Sequence, residues 1–189
     1  EDASTRVVTC YDSGTVHGGQ PARHVEVDTA GATEIRLAVS DAGDGTNYDH
    51  ADWGNAALTD ADAKVAFLDE LKPLSATQGH GKLGLRTNVP GHALRVGDRT
   101  FKRGLGTHAH SEIAYPLAKG CRRFTADVGV DAVVKDRGTV RFQVRLVYPR
   151  SERVEHPPPG LHGKVGSFTV LPAEGTNPLH LHGGMLRVS

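Results

Sequence analysis

Aromatic side chains are few in this chain: five Phe, four Tyr and one Trp among 189 residues. Any surface that recognises a ligand by ring stacking therefore rests on one or two rings. Cysteine is scarcer still, at Cys10 and Cys121. Two thiols so far apart make neither a metal knuckle nor a disulfide framework. Two buried free thiols and a single disulfide in an exported protein both stay open. Charge of neither sign is in excess, because 22 Lys and Arg balance 22 Asp and Glu. That balance excludes the basic footprint of a nucleic-acid-binding protein. No apolar run is long enough to insert across a bilayer, and none follows a basic start as in a signal peptide. A Gly-x-Ser-x-Gly elbow, a P-loop and a dinucleotide fingerprint are all missing. The "GLGTH" glycines lead into no helix and so cradle no phosphate.

Glycine, by contrast, is abundant at 23 residues. It punctuates short β-branched runs, which predicts an all-β chain with many turns. "EIRLAVS" (34–40) alternates, with Ile35, Leu37 and Val39 on one side and Arg36 on the other. "RVVTCY", "HVEVD", "SEIAYPL", "RFTADVGVD" and "TVRFQVRLVY" read as further strands, and "ALRVGDRTFKRGLG" as a hairpin across Gly97-Asp98. "LTDADAKVAFLDELKP" fits a short helix, or a turn, a strand and a single helical turn; the second is favoured. With no βαβ unit, eight or nine strands predict an antiparallel β-sandwich of jelly-roll type. After Tyr148 the texture changes. "PRSERVEHPPPG" reads as an extended linker, so residues 5–148 form the expected domain and 149–189 a tail lying over it or pairing at an edge.

Two clusters could carry chemistry. "DAGDGTNYDHADWGNA" holds Asp41, Asp44, Asp49 and Asp52 with His50 and Trp53. Crowded loop carboxylates can bind Ca²⁺, although the spacing is not that of an EF-hand. Asp-Gly and Asn also form Asx-turns that satisfy backbone N–H groups, so both roles stay open. A carboxylate pair for acid/base work needs a second acidic site, which is not found. Trp53 could face a sugar ring or anchor the core. In "RGLGTHAHSEI", His108, His110 and Glu112 would share a face on a strand. Such a row can hold a transition metal, as in a cupin-type enzyme. The usual cupin spacing places its Glu further on, and no second histidine motif follows suitably.

The stretches "EIRLAVSDAGDGTNYDHADWGNAAL", "LKPLSATQGHGKLG", "ALRVGDRTFKRGLGTHAHSEIAYPL" and "RFTADVGVD" look like the NPCBM family of carbohydrate-binding modules. The resemblance spans about Tyr11 to Val147. It implies a lectin-like, jelly-roll β-sandwich that binds glycans with terminal galactose-type sugars, often with a structural Ca²⁺. Members resemble non-catalytic attachments to secreted, periplasmic or surface proteins, including glycoside hydrolases. One departure is the order of the motifs. The family's module usually begins at the part like "LDELKPLSATQG" and reaches the "YDSG" and "DAGDG" parts last, whereas here these come first. The order looks circularly permuted, or cut from a tandem array; compact domains tolerate permutation when their ends are close. It requires Arg6–Tyr11 to pair beside Arg141–Val147. Carried over residue by residue, the resemblance implies sugar contacts from His50, Trp53, Arg103, His108 and His110, with Tyr48 or Trp53 as an apolar face. Asp41, Asp44, Asp49 and Asp52 are its implied metal ligands.

Overall fold

The structure is a computed structural model that describes residues 5–150. Among these, fourteen strands follow in chain order: β1 (Thr5–Asp12), β2 (Val16–His17), β3 (Arg23–Asp28), β4 (Glu34–Ser40), β5 (His50–Asp60), β6 (Val65–Phe67), β7 (Ser75–Thr77), β8 (Gly84–Leu85), β9 (Leu94–Val96), β10 (Arg99–Phe101), β11 (Gly104–His108), β12 (Ser111–Pro116), β13 (Cys121–Val130) and β14 (Thr139–Pro149). The helical content of this region is two 3₁₀ turns, Leu68–Glu70 and Ala132–Val134. Asp60–Phe67 therefore takes the turn-and-strand form, followed by the single helical turn.

One sheet runs β1-β14-β4-β12-β7, with β2 also paired to β14. The second runs β3-β13-β5-β11-β8, with β6 also paired to β5. All these pairs are antiparallel, and the two sheets pack as a β-sandwich. The period-2 pattern explains why. Ile35, Leu37 and Val39 of β4 and Val140, Phe142, Val144 and Leu146 of β14 are buried on one face of the first sheet. Phe124, Ala126 and Val128 of β13 join the same core from the second sheet. Trp53 spans the layers, with its ring 5.0 Å from that of Phe142 and 6.3 Å from that of Phe124, both edge-on.

Arg6 to Tyr11 lies beside β14, as a permuted order requires: Val7 pairs with Val147 and Tyr11 with Val144, with a bulge between Thr9 and Tyr11. The bulge holds Cys10 exposed while Cys121 is buried, and both thiols are free. From residue 151 onward the expected linker and tail lie outside the described residues.

Antiparallel pairing gathers the C-terminal ends of β4, β7, β11 and β13 with the N-terminal ends of β5, β12 and β14. Loops 41–49, 78–83, 109–110 and 131–138 thus meet at one end of the sandwich. Ligand-contacting residues concentrate on loops held by a rigid scaffold, which makes this end the candidate site.

Candidate functional site

His50 opens β5 and His108 closes β11. The register sets them directly opposite, and their rings meet edge-on at 4.8 Å. His80, exposed on loop 78–83, brings a third ring to 5.4 Å from His108. Nδ1 of His108 donates to the Ala109 carbonyl at 2.8 Å. A carbonyl only accepts, so in the neutral ring the Nε2 is left as the acceptor. Burial of His50 pushes its pKa below the usual histidine value, and His108 and His80 push the same way against Asp131. At neutral pH, His50 is therefore an uncharged hydrogen-bonding group. His110 is exposed, its Nε2 3.7 Å from Oδ2 of Asp41.

Among the described residues, Tyr48 is the exposed aromatic residue at this end. It holds a left-handed backbone (φ 69°) two residues before His50. A side chain on Gly138 would meet the Tyr48 carbonyl at 2.3 Å, so only glycine allows this approach. The Arg137 guanidinium lies 4.0 Å from the ring centroid, and Tyr48 remains 47 % exposed. Non-glycine residues in this conformation persist where the surroundings over-determine them, often at ligand sites.

The four aspartates do not form one ligand set. The carboxylate of Asp41 accepts the Gly43 and Gly45 N–H groups at 3.1 and 3.2 Å, as in an Asx-turn. Asp49 is buried; its Oδ1 accepts the Thr139 N–H at 3.0 Å, fastening loop 41–49 to β14. Asp52 points to the opposite side of the second sheet from Trp53 and accepts the Arg95 N–H at 3.1 Å. Asp44 is exposed. Among the described residues no group of three or more His, Cys, Asp or Glu could hold a metal ion. As ligands of a single Ca²⁺, Asp41, Asp44, Asp49 and Asp52 do not fit, because Asp41, Asp49 and Asp52 are each tied to backbone donors and Asp52 also turns to the other face of its sheet.

Three further expectations are corrected. Trp53 is fully buried in the core and presents no face to a sugar. Arg103 lies at the far end of β11, five residues from His108 and so roughly 17 Å away along an extended strand. There it pairs with Asp69 at 3.1 Å and Glu70 at 2.8 Å, over the Phe67 ring. His108 and Glu112 do not share a face either, because the chain changes sheets between them. Glu112 lies on the outer face of the first sheet and pairs with Arg145 at 3.1 Å. The His-x-His-x-Glu row of a cupin-type enzyme is therefore not built. Of the expected sugar contacts, His50, His108 and His110 do come to one end. His80 and Arg137 were not anticipated. The only hint of His80 was its place between two glycines, where a side chain sits on a bend.

The sequence profile described as NPCBM/NEW2 domain matches residues 5–59 and 64–149. Over 72 residues, 38 % of this chain, the sequence is 35 % identical to a protein of Renibacterium salmoninarum named as an endo-alpha-N-acetylgalactosaminidase. The matched stretch is 5 % of that protein's length, so the chain corresponds to a small part of it. No solved structure matches.

Proposed function

The chain belongs to the NPCBM/NEW2 domain family, a family of carbohydrate-binding modules, and from that premise we propose that it holds a terminal galactose-type sugar at the loop end and does no chemistry on it. The observation that carries this is Tyr48: an exposed ring, backed by Arg137, on a backbone that Gly138 keeps in place. Such a ring offers an apolar face to a pyranose. His50, His80 and His110 supply donors and acceptors for its hydroxyls. The name of the Renibacterium protein refers to N-acetylgalactosamine, which supports a galactose-type ligand. It also supports a parent protein that is a glycoside hydrolase. One ring gives weak monovalent binding, which repetition of the module would raise.

A glycan array probed with the 189-residue chain, with and without a chelator, tests this. Galactose- and N-acetylgalactosamine-terminated glycans are expected to bind, and the chelator to change nothing. Tyr48→Ala is expected to weaken galactose binding about tenfold with an unchanged melting temperature. Binding to no glycan in either buffer would overturn the proposal. The burial of Trp53 and His108 favours a second reading, an interaction module without sugar affinity; that same blank array is the result it expects.

A further inference from the structure

The outer face of the first sheet carries a slot that the loop-end site does not use. Ala38 of β4 points outward there, and its cross-strand neighbours are Gln143 of β14 and Glu112 of β12. Strand spacing puts those two backbones roughly 10 Å apart across a single methyl group. The resulting cleft has a volume of about 260 Å³, with Ala38 and Ser40 in its floor, Glu112, Gln143 and Arg145 in its walls, and His110 at its mouth. His110 also approaches Asp41 of the loop end. The slot therefore runs along β4 and opens where the terminal sugar is placed.

Its walls are fixed by one another. Arg145 donates to Oε2 of Glu112 at 3.1 Å and to Oε1 of Gln143 at 2.6 Å. Gln143 donates to Asp12 at 2.8 Å, and Asp12 takes both arms of Arg141 at 2.7 Å. Planar groups held this way need little ordering when a ligand arrives. Arg145 engages one Glu112 oxygen, leaving Oε1 for a hydroxyl. The charges on this face also cancel in pairs: Arg145 with Glu112, Arg141 with Asp12, and Arg36 with Glu34. A neutral polyol suits such a surface, and a sulfated or uronic sugar does not.

We propose that this slot is a second subsite, which takes the next sugar of a neutral oligosaccharide whose terminal residue sits at the loop end. The proposal rests on the sugar-binding reading above. Isotope-labelled 189-residue chain is titrated with galactose, lactose and galactosyl-lactose, with backbone amide shifts and affinity followed together. The trisaccharide is expected to bind about tenfold more tightly than galactose, the gain of one or two added hydrogen bonds. Amides of Ala38, Glu112 and Gln143 should shift with lactose and with the trisaccharide, which both carry a second sugar, and not with galactose. Ala38→Trp fills the slot and Glu112→Gln removes its carboxylate; both should bring the trisaccharide-to-galactose affinity ratio close to one, with melting temperatures showing that each variant folds. Shifts confined to the loop end, with a ratio near one in the unaltered chain, would overturn the second subsite and leave the terminal site standing. No shift with any of the three sugars would overturn the terminal site, and the subsite with it.

Discussion

Asp52 shows how adjacent residues on one strand come to opposite fates. Trp53 enters the core, and Asp52 is turned to the other face of the second sheet, where it is buried as well. There its Oδ2 and Oδ2 of Asp131 both accept the Arg95 N–H, at 3.1 and 3.3 Å. Two carboxylates that converge on one donor cannot both stay ionised. The other oxygen of Asp131 already accepts Val133 N–H at 2.8 Å and Asn88 Nδ2 at 3.1 Å. The proton therefore falls to Asp52, whose pKa is raised well above the usual carboxylate value by burial first and by Asp131 second, against the Arg95 N–H. The native state then keeps a proton that the unfolded chain releases above about pH 4. Stability accordingly falls as pH rises from there towards the native pKa, by about 1.4 kcal/mol per pH unit. Asp52→Asn removes the titration and keeps a donor and an acceptor in the carboxyl's place. Urea unfolding across pH 4–9 should show the variant gaining on the parent as pH rises. Parallel pH profiles for the two proteins would mean that Asp52 is ionised in the folded state.

Elements show where the sequence is readable and where it is not. Periodicity says which residues of a strand share a face, and Ile35, Leu37, Val39, Phe142 and Val144 fall where it puts them. The β9–β10 hairpin is legible from Gly97-Asp98. Its docking place is not, because nothing local says what covers an outer face. It lies over Gly54 and Gly129, where added side chains would meet the Phe101 ring at 2.6 Å and Val96 at 2.2 Å. The site was half legible for the same reason. His50 and His108 follow from pairing β5 with β11, but the sequence does not say that Arg103 is engaged by the 3₁₀ turn instead. Asp69 of that turn is buried, accepts the Gly104 N–H at 3.0 Å and pairs with Arg103 at 3.1 Å, which pins the turn to β11. Asp69→Ala should cost about 2–4 kcal/mol, because it orphans a buried N–H and leaves the partly buried Arg103 guanidinium with the exposed Glu70 alone. Asp69→Asn, which keeps an acceptor, should cost less. Denaturant midpoints measure both. A loss below about 0.5 kcal/mol for the alanine variant would show that the pin is not needed.

At the scale of the whole molecule, charge balance recurs at each level. The chain is formally neutral, the outer face of the first sheet pairs its charges, and His50 is held uncharged by burial. A charged ligand would find no complementary field on this face, and long-range steering would be weak. A neutral sugar, recognised by hydrogen bonds and one ring, needs no such field. The two cases separate in salt. Exposed charge–charge attraction is screened as the Debye length shrinks from about 14 Å at 50 mM to about 4 Å at 500 mM. Contacts with hydroxyls and an apolar ring face contain no such term. The dissociation constant for galactosyl-lactose should therefore change less than about twofold over that range, measured by calorimetry at constant pH. A steep loss of affinity with salt would identify the ligand as an anion, and would count against both the galactose-type terminal sugar and the neutral slot beside it.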